Sequence, residues 1–486
     1  MSGLGEDEEM TLLDDEGRLF GLVNIVDLLV ILLVLAVIVA GAALLLSGSS
    51  DDTETTMETR HVTMDLGTQP DFIAEQITAG DTFEPRGSDE PATITDVYRY
   101  DNGGGTNVIV RATIRGTVSA SESTSADSFQ LGNTELRVGQ SVPLQTAEYS
   151  VKGKLTQIQR SGEELPTQQT EFTMEATVPA GTADEVSIGD QYQIAGETVA
   201  EITALQQFPN MNRSARTLLV GVSAQTIDRG GVQFSGSSLQ VGETVLFRNN
   251  SYQLTGNVAN RETSTIETTE RPFLLETTVP TNIVGDIDTG DQYRLGGETL
   301  VRIESTTIYA TDEPDQRRVL LGVSAVTRDR DGTVLFGNQE LRLGQSIPIQ
   351  TAEYDLSGEI IRRGTLEQAG EPEAITATLT LRDVRPELSS AITVGQTEQI
   401  GDETTLEIVS KTTEPTEVLV ETQDGNLYLR DHPRNLDVEL DTELRVQRLD
   451  DGSIQFRGEP LHTGDTIPIE LGQLRVTVEV SELDTR

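Results

Sequence analysis

The chain offers few residues that could carry out catalysis or hold a metal ion. It contains three histidines, His61, His432 and His462, and no cysteine. No two histidines have a metal-ligand spacing such as His-x-x-x-His, and neither a Gly-x-Ser-x-Gly elbow nor a phosphate-binding loop occurs. Acidic residues are so frequent that the sequence selects no carboxylate pair of the glycosidase kind. We therefore predict that the protein is not an enzyme and binds no cofactor.

Two short motifs could bind a cation or carry a modification. Asp-Arg-Asp-Gly-Thr at 329–333 contains part of a calcium loop, but its remaining ligand positions are missing. Asp331-Gly332 lies between two apolar runs, which is a strong indication of a β-hairpin, and we interpret the motif as a turn. Asn212 and Asn249 each begin an Asn-x-Ser sequence, so both are candidate N-glycosylation sites.

The charge of the chain is strongly acidic. The net charge is -45, from 80 acidic and 35 basic residues, and lysine occurs only as Lys152, Lys154 and Lys411. This composition resembles that of proteins from halophilic archaea, because carboxylates hold water and cations in brine and molar salt screens their repulsion. The clustered basic residues that bind phosphates are missing, so we predict no nucleic-acid partner.

Residues 28–46 form an apolar segment without a charge, long enough to cross about 30 Å of hydrocarbon as a helix. Acidic residues precede the segment and no convincing cleavage site follows it, which favours a retained anchor over a signal peptide. Arg18 is the only basic residue before the segment, and none follows until Arg60. We predict a single-pass protein of the cell membrane that contacts lipid through this helix, with a cytoplasmic leader, 1–27, and the bulk extracellular.

Residues 12–38 resemble the start of the domain-of-unknown-function family 4330. In that family an acidic, glycine-containing leader runs into a membrane helix, and a β-rich extracytoplasmic domain follows. The resemblance implies this topology and no particular activity, and the present chain is much longer than the usual family member. The residues that fit the leader are Asp15, Gly17, Phe20, Gly21, Asn24 and Asp27.

Beyond a polar stem, 47–61, two sequence lines recur four times. The line FGNQELRLGQSIPIQTAEYDLSGEI at 336–360 has counterparts that start near 129, 234 and 456. The line IDTGDQYRLGGETLVRI at 287–303 precedes it and also recurs. A period of about 100 residues indicates tandem domains that each fold alone. The predicted modules are 62–160, 171–261, 272–363 and 374–486.

Each module has the pattern of a mostly β domain. Apolar and polar residues alternate, glycines stand at the bends, and Gly230-Gly231 and Asp451-Gly452 take the place of Asp331-Gly332. One helical turn is expected within 171–190. The two recurring lines also resemble each other, which suggests two halves related by a pseudo-twofold axis. We predict four tandem small antiparallel β-barrels, with a β-sandwich as the alternative.

These features favour a structural or interaction protein of the cell surface. Four similar modules on one anchor would act as a scaffold or spacer, with other surface or envelope proteins or a second copy as partners. One alternative is a component of an envelope or export assembly that binds polysaccharide or cations. Another is a subunit of a surface filament.

Overall fold

The computed structural model describes residues 18–19, 23–24, 30, 33–36, 55–88, 90–101, 104–119, 128–210, 214–311, 313–400, 403–421 and 427–484. The chain divides into two compact units, of which the first ends at Leu165 and the second runs on to the C-terminus, with residues 100–103 grouped with the second. The first unit contains module 1, and the second contains modules 2, 3 and 4.

Little of the N-terminal region falls within the described residues. Two short strands, β1 (Arg18–Leu19) and β2 (Val23–Asn24), pair antiparallel. Residues 30 and 33–36 are helical. The rest of the predicted leader, 1–27, and of the predicted anchor, 28–46, lies outside the described residues. Where the structure is described, no helix combines the length and apolar character required to cross a bilayer.

Each module is one curled, barrel-like antiparallel sheet of eight strands. The first strand lies in the middle of the sheet, and the within-module order is 2-3-4-1-8-7, with the fifth strand between the fourth and the sixth. A helix of four to six residues follows the first strand. The predicted β class and the four-fold repetition are therefore confirmed.

The strands and helices have the following bounds. Module 1 contains β3 (Thr55–Gln69), α1 (Asp71–Ala74), β4 (Thr82–Phe83), β5 (Ala92–Asp101), β6 (Thr106–Ser119), β7 (Ser128–Leu131), β8 (Thr134–Glu135), β9 (Ser141–Gln145) and β10 (Ser150–Gln159). Module 2 contains β11 (Thr167–Pro179), α2 (Ala180–Glu185), β12 (Gln191–Ile194), β13 (Glu197–Pro209), β14 (Ala215–Asp228), β15 (Val232–Phe234), β16 (Ser237–Ser238), β17 (Thr244–Arg248) and β18 (Gln253–Asn260).

The last two modules repeat this order. Module 3 contains β19 (Thr269–Pro280), α3 (Thr281–Val284), β20 (Gln292–Leu295), β21 (Glu298–Ala310), β22 (Gln316–Arg330), β23 (Thr333–Phe336), β24 (Gln339–Glu340), β25 (Ser346–Gln350) and β26 (Asp355–Arg363). Module 4 contains β27 (Glu371–Val384), α4 (Pro386–Ala391), β28 (Thr397–Ile400), β29 (Glu403–Glu421), β30 (Leu427–Arg448), β31 (Ile454–Phe456), β32 (Glu459–Pro460), β33 (Thr466–Leu471) and β34 (Leu474–Asp484).

The modules begin earlier than the sequence pattern predicts. Strand β3 starts at Thr55, inside the predicted polar stem, 47–61, and β11 starts at Thr167 rather than at 171. The first four residues of β11 are exposed or half-buried, so they show no apolar alternation. They are nevertheless strand, because they pair with the end of β14. Backbone pairing thus sets the module boundary.

A glycine turn with a fixed set of backbone hydrogen bonds opens each half of every module. In module 2 the Gly189 amide donates to the Ile202 carbonyl, and the Ile202 amide donates to the Asp190 carbonyl, at 2.8 and 2.9 Å. The same bonds recur in the second half, as the resemblance between the two lines predicts. The turn glycine has positive φ in every copy, at Gly80, Gly139, Gly189, Gly242, Gly290, Gly344, Gly395 and Gly464.

A tyrosine and an aspartate join the two halves of modules 1, 2 and 3. The Tyr354 hydroxyl donates to Asp291 Oδ2 at 2.5 Å, and the same carboxylate accepts the Asp288 amide at 2.9 Å. Tyr149 with Asp81 and Tyr252 with Asp190 repeat the contact. Burial and the neighbouring carboxylate both raise the pKa of the tyrosines. The contact links the two edges of the sheet, the second and seventh strands of the module. Within the described residues these two strands share no ladder of backbone hydrogen bonds.

The Asp331-Gly332 turn joins β22 to β23 as predicted. Both residues have positive φ, 51° and 80°, as a two-residue hairpin turn requires, and Arg330 pairs with Thr333. The supposed equivalents are longer loops, since Asp228 pairs with Val232 and Arg448 pairs with Ile454.

Candidate functional site

The predicted site residues do not converge on one site. His61 is buried, and its Nδ1 lies 3.0 Å from the Thr113 hydroxyl. His432 Nδ1 accepts two backbone amides within its own strand, and His462 lies near Asp465 in a turn. Within the described part of the chain, no group of three His, Cys, Asp or Glu residues could hold a metal ion.

Of the two candidate glycosylation sites, Asn212 lies outside the described residues. Asn249 lies in the turn between β17 and β18, where its side-chain Oδ1 accepts the backbone amides of Ser251 and Tyr252, each at 2.9 Å. In module 3, Thr351 accepts the corresponding amides in the same turn. Asn249 therefore shapes the turn that carries the buried tyrosine, and its modification remains a prediction.

The contacts between successive modules form the most extensive candidate site in the second unit. Phe208 on β13 is fully buried, and its ring packs edge-on against Phe336 of module 3, with ring centroids 5.5 Å apart. Phe208 and its neighbour Leu219 belong to the same hydrophobic cluster as the core of module 3. Gly337 completes the fit, because a Cβ there would lie 2.8 Å from the Phe208 Cβ. Module 3 is thus packed onto an apolar end of module 2.

Ion pairs flank this apolar contact. Arg328 of module 3 donates to Glu175 of module 2 at 2.8 Å and to the Gly337 carbonyl at 2.8 Å. Arg330 contacts the same Glu175 carboxylate. The side chains of Arg328 and Glu175 are largely buried, so solvent screens this pair less than a surface pair.

Modules 3 and 4 meet at the equivalent end of module 3, but no hydrophobic cluster of the described residues spans this contact. Tyr309 and Leu320 occupy the register positions of Phe208 and Leu219, and both are buried. Arg318 of module 3 donates to Glu459 at 2.9 Å and to the Arg457 carbonyl at 3.1 Å. Beside them, Arg317 pairs with Glu470 at 3.1 Å, and Arg475 donates to the Thr311 carbonyl.

Two clefts lie between modules 3 and 4, on either side of Tyr309. The larger has a volume of about 480 Å³ and the smaller about 330 Å³. Tyr309 and Arg457 line both clefts. Burial raises the pKa of the Tyr309 phenol, although the Gln368 amide and the guanidinium of Arg318 oppose that effect.

Module 4 departs from the others through a buried ion pair. Glu398 on β28 occupies the register position of Tyr192 and Tyr293, and it is only 3% exposed. Its carboxylate accepts the Arg457 guanidinium and, at 2.9 Å, the Glu470 amide. Arg457 has a left-handed backbone, φ 55°, where module 3 has Gly337. A glutamate and an arginine thus replace an aromatic ring and a glycine, and they bridge β28 and β33 where modules 1–3 use tyrosine and aspartate.

The far end of module 4 differs again. Register places Glu414 and Glu439 where modules 2 and 3 have the aromatic residue and the leucine that contact the next module. Both glutamates are exposed. A carboxylate pair at this position cannot form the apolar contact, so this end of module 4 presents a charged face.

Sequence reasoning did not identify these interface residues. Phe208 and Tyr309 stand at the ends of apolar strands and look like ordinary core positions. The four aligned copies did contain the information for module 4. Glu398 stands where the other modules have an aromatic residue, and Arg457 stands where modules 1 and 3 have glycine and module 2 has Ser235. The many other carboxylates concealed the exchange.

Comparison with known proteins gives a family match for the N-terminal third of the chain. No curated protein and no solved structure matches the sequence. A family model with the description "Domain of unknown function (DUF4330)" matches residues 10–159, which include residues 10–27 of the predicted leader and the strands of module 1. The resemblance found at residues 12–38 is therefore confirmed, and it extends over residues 10–159.

Proposed function

We propose that the protein is a membrane-anchored scaffold or spacer of the cell surface. The interfaces within the second unit are the observation that carries this proposal. Modules joined by flexible linkers would not need a fully buried Phe208, or a glycine at 337 that leaves room for it. A spacer, in contrast, must hold its domains at fixed positions. Both interfaces hold neighbouring modules together, although they use different residues. This favours a function that depends on how the modules are spaced over one that depends on a single specialised binding site.

The anchor and its orientation rest on the N-terminal sequence. The helical residues Val30, Leu33, Val34 and Leu35 are apolar and exposed, which suits contact with lipid. In this proposal residues 28–46 cross the membrane once, the N-terminus is cytoplasmic, and residues 47–486 lie outside.

Protease added to whole cells tests this topology. A tag at the N-terminus should stay intact, while the protease digests the rest of the chain. A known surface protein serves as the control and should be digested at a similar rate. Recovery of the intact chain in the soluble fraction, or protection of modules 2–4 in intact cells, would contradict the anchor.

Distance measurements test the spacer. The chain lacks cysteine, so Val241→Cys in module 2 and Val394→Cys in module 4 place two labels at exposed positions. We expect a narrow distance distribution that Phe208→Ser broadens. The matched control, Glu414→Ser, alters the equivalent position where no module docks, and should leave it unchanged. An equally broad distribution in the unaltered protein would refute a fixed spacer.

The acidic composition supports a brine environment. With a net charge of -45, the folded state should repel itself strongly at low ionic strength, where the Debye length is about 30 Å, and much less at molar salt. We expect the midpoint of thermal unfolding to rise continuously between dilute buffer and molar KCl. A midpoint that levels off at physiological ionic strength would argue against a halophilic source.

A further inference from the structure

The smaller of the two clefts between modules 3 and 4 is lined by residues whose polar atoms lack a hydrogen bond. Residues of β21, β29, β30 and β31 surround its volume of about 330 Å³, together with Gln368 from the connector between the two modules. Three buried side-chain atoms of the lining residues have no partner among the described residues: Thr306 Oγ1, Gln368 Oε1 and Arg457 Nε. An unpaired buried polar atom is costly in a folded protein, so three around one cleft indicate a missing partner.

The contact between modules 2 and 3 shows what the same positions hold where two modules pack closely. Register places Thr306 where module 2 has Leu205. Gln368 is equivalent to Ile266, because they stand at the same distance beyond matching ladder positions, 360 and 258. Leu205 packs against the core of module 2, and Ile266 packs against the core of module 3. Polar side chains thus replace apolar ones at both positions of the cleft.

Two further exchanges add hydrogen-bonding groups to the cleft. Tyr309 and Arg457 stand where the contact between modules 2 and 3 has a phenylalanine and a glycine. The Tyr309 hydroxyl accepts the Gln368 amide at 2.6 Å, which leaves the phenol proton available for donation. Both terminal nitrogens of Arg457 are bonded, one to Glu398 and the other to the Pro468 carbonyl at 2.6 Å. The cleft therefore offers an amide oxygen as acceptor, a guanidinium N–H as donor, and hydroxyls that can do both.

This set of groups matches a neutral ligand that carries several hydroxyls. A sugar hydroxyl both donates and accepts, so neighbouring hydroxyls of one ring can pair with an acceptor, a donor and a second hydroxyl. The two arginines of the lining are already paired, Arg457 with Glu398 and Arg445 with Glu403 at 3.7 Å. An anion would meet these paired charges and the net charge of -45, which disfavours its binding. Sites for small molecules measure about 300–1,000 Å³, and a volume at the lower end suits one sugar ring.

We propose that this cleft binds one ring of a neutral sugar, and that Thr306, Gln368 and Arg457 form hydrogen bonds with its hydroxyls. The unpaired atoms are covered by their neighbours, so their side chains turn toward the cleft as the sugar enters. Because the lining comes from both modules, the bound sugar also ties module 3 to module 4. Binding should therefore slow amide exchange on both sides of the cleft, in β21 and in β31.

Saturation-transfer NMR on the full chain tests the proposal. The protein is kept in a detergent without a sugar head group, because such a head group would compete for the cleft. The probes are glucose, galactose, mannose and N-acetylglucosamine, with glucuronate as the charged control. We expect at least one neutral sugar to bind with a dissociation constant on the order of 1 mM, as suits a ligand of this size, and glucuronate to bind more weakly.

A variant that copies the contact between modules 2 and 3 should remove the site. Thr306→Leu/Tyr309→Phe/Gln368→Ile introduces the residues found there, so the modules should stay folded while sugar binding weakens at least about tenfold. The control Thr289→Leu makes a similar exchange at an exposed glycine turn, where the second half of module 3 has Leu343, and should bind like the unaltered chain. Amide exchange in β22 and β30 reports whether the variant is folded.

Amide exchange of the unaltered chain with and without sugar locates the site independently of any variant. The proposal is overturned if none of the four neutral sugars binds, if glucuronate binds more tightly than all of them, or if the variant binds as well as the control. Slower exchange that spares β21 and β31 would likewise overturn it. A disaccharide that binds more tightly than its single ring identifies a glycan chain as the ligand, whereas equal binding identifies a free sugar, and both results support the site.

Discussion

The buried pair of Glu398 and Arg457 predicts a strong asymmetry between single and paired substitutions. Both side chains are almost wholly buried, at 4% and 6% exposed. Arg457→Gly leaves the carboxylate buried with the Glu470 amide and the Thr405 hydroxyl as its remaining donors, each at 2.9 Å. Loss of one partner of a buried pair costs about 3–5 kcal/mol, and relief of the left-handed backbone at position 457 returns about 1–2 kcal/mol. We expect a net loss of about 2–3 kcal/mol in the stability of module 4.

The paired variant Glu398→Phe/Arg457→Gly should recover most of that loss. It recreates the combination found in module 1, where Phe83 holds the aromatic position and Gly132 the turn position. Replacement of a buried ion pair by apolar residues is often neutral, so we expect stability within about 1 kcal/mol of the unaltered chain. Because the paired variant should be more stable than Arg457→Gly alone, the two substitutions would be non-additive.

Amide hydrogen exchange is the appropriate assay because it resolves one module within the chain. Protection of β28 and β33 should fall in Arg457→Gly and return in the paired variant, while β12 and β17 of module 2 serve as an internal control. Full protection of β28 and β33 in Arg457→Gly would refute the assignment of the ion pair as the link between these strands. The same holds if the paired variant is as poorly protected as Arg457→Gly.

Three further predictions concern the other modules. Tyr252→Phe removes the hydroxyl that donates to Asp190, so module 2 should lose about 1–2 kcal/mol by amide exchange, whereas Tyr428→Phe, at an exposed position of β30, should have no effect. Because burial raises the pKa of Tyr252, its contribution is complete below about pH 10 and is lost as the pH rises further, since only the unfolded chain ionises there. Circular dichroism measured against pH should show unfolding at alkaline pH, and this unfolding should depend less steeply on pH in Tyr252→Phe than in the unaltered protein. The same pH dependence in both proteins would contradict this. Phe208→Ala should cost about 3–5 kcal/mol and release module 3 from module 2 in small-angle scattering, whereas Glu414→Ala should change neither quantity.

The sequence predicts the repeated β-modules well because their local rules are strict. Positive φ at Asp331 and Gly332 admits few residue types, and the turn glycines recur at fixed distances from the strands. Alternation of apolar and polar residues then assigns the faces of strands such as β26. The module boundaries were less accurate, since exposed ends of β3 and β11 are strand only through their partners.

Contacts between modules could not be predicted in the same way. A buried aromatic residue at the end of a strand has the same local pattern whether it faces its own core or a neighbour, as Phe208 does. The exposed end of the β29–β30 hairpin was also missed as a surface, because the consecutive apolar residues Val418, Leu419 and Val420 look like part of a fully buried strand. The unusual length of β29 and β30 is the feature that distinguishes it.

The charged end of module 4 has a consequence for how copies of the chain can assemble. Domains that stack through one shared contact have no inherent limit, so that any copy with a free apolar end could recruit another chain and grow into an open polymer. Glu414 and Glu439 put charge at this end of module 4, which blocks that route of growth. Phenylalanine and leucine at these two positions would restore an apolar end, and we expect such a variant to associate into fibres.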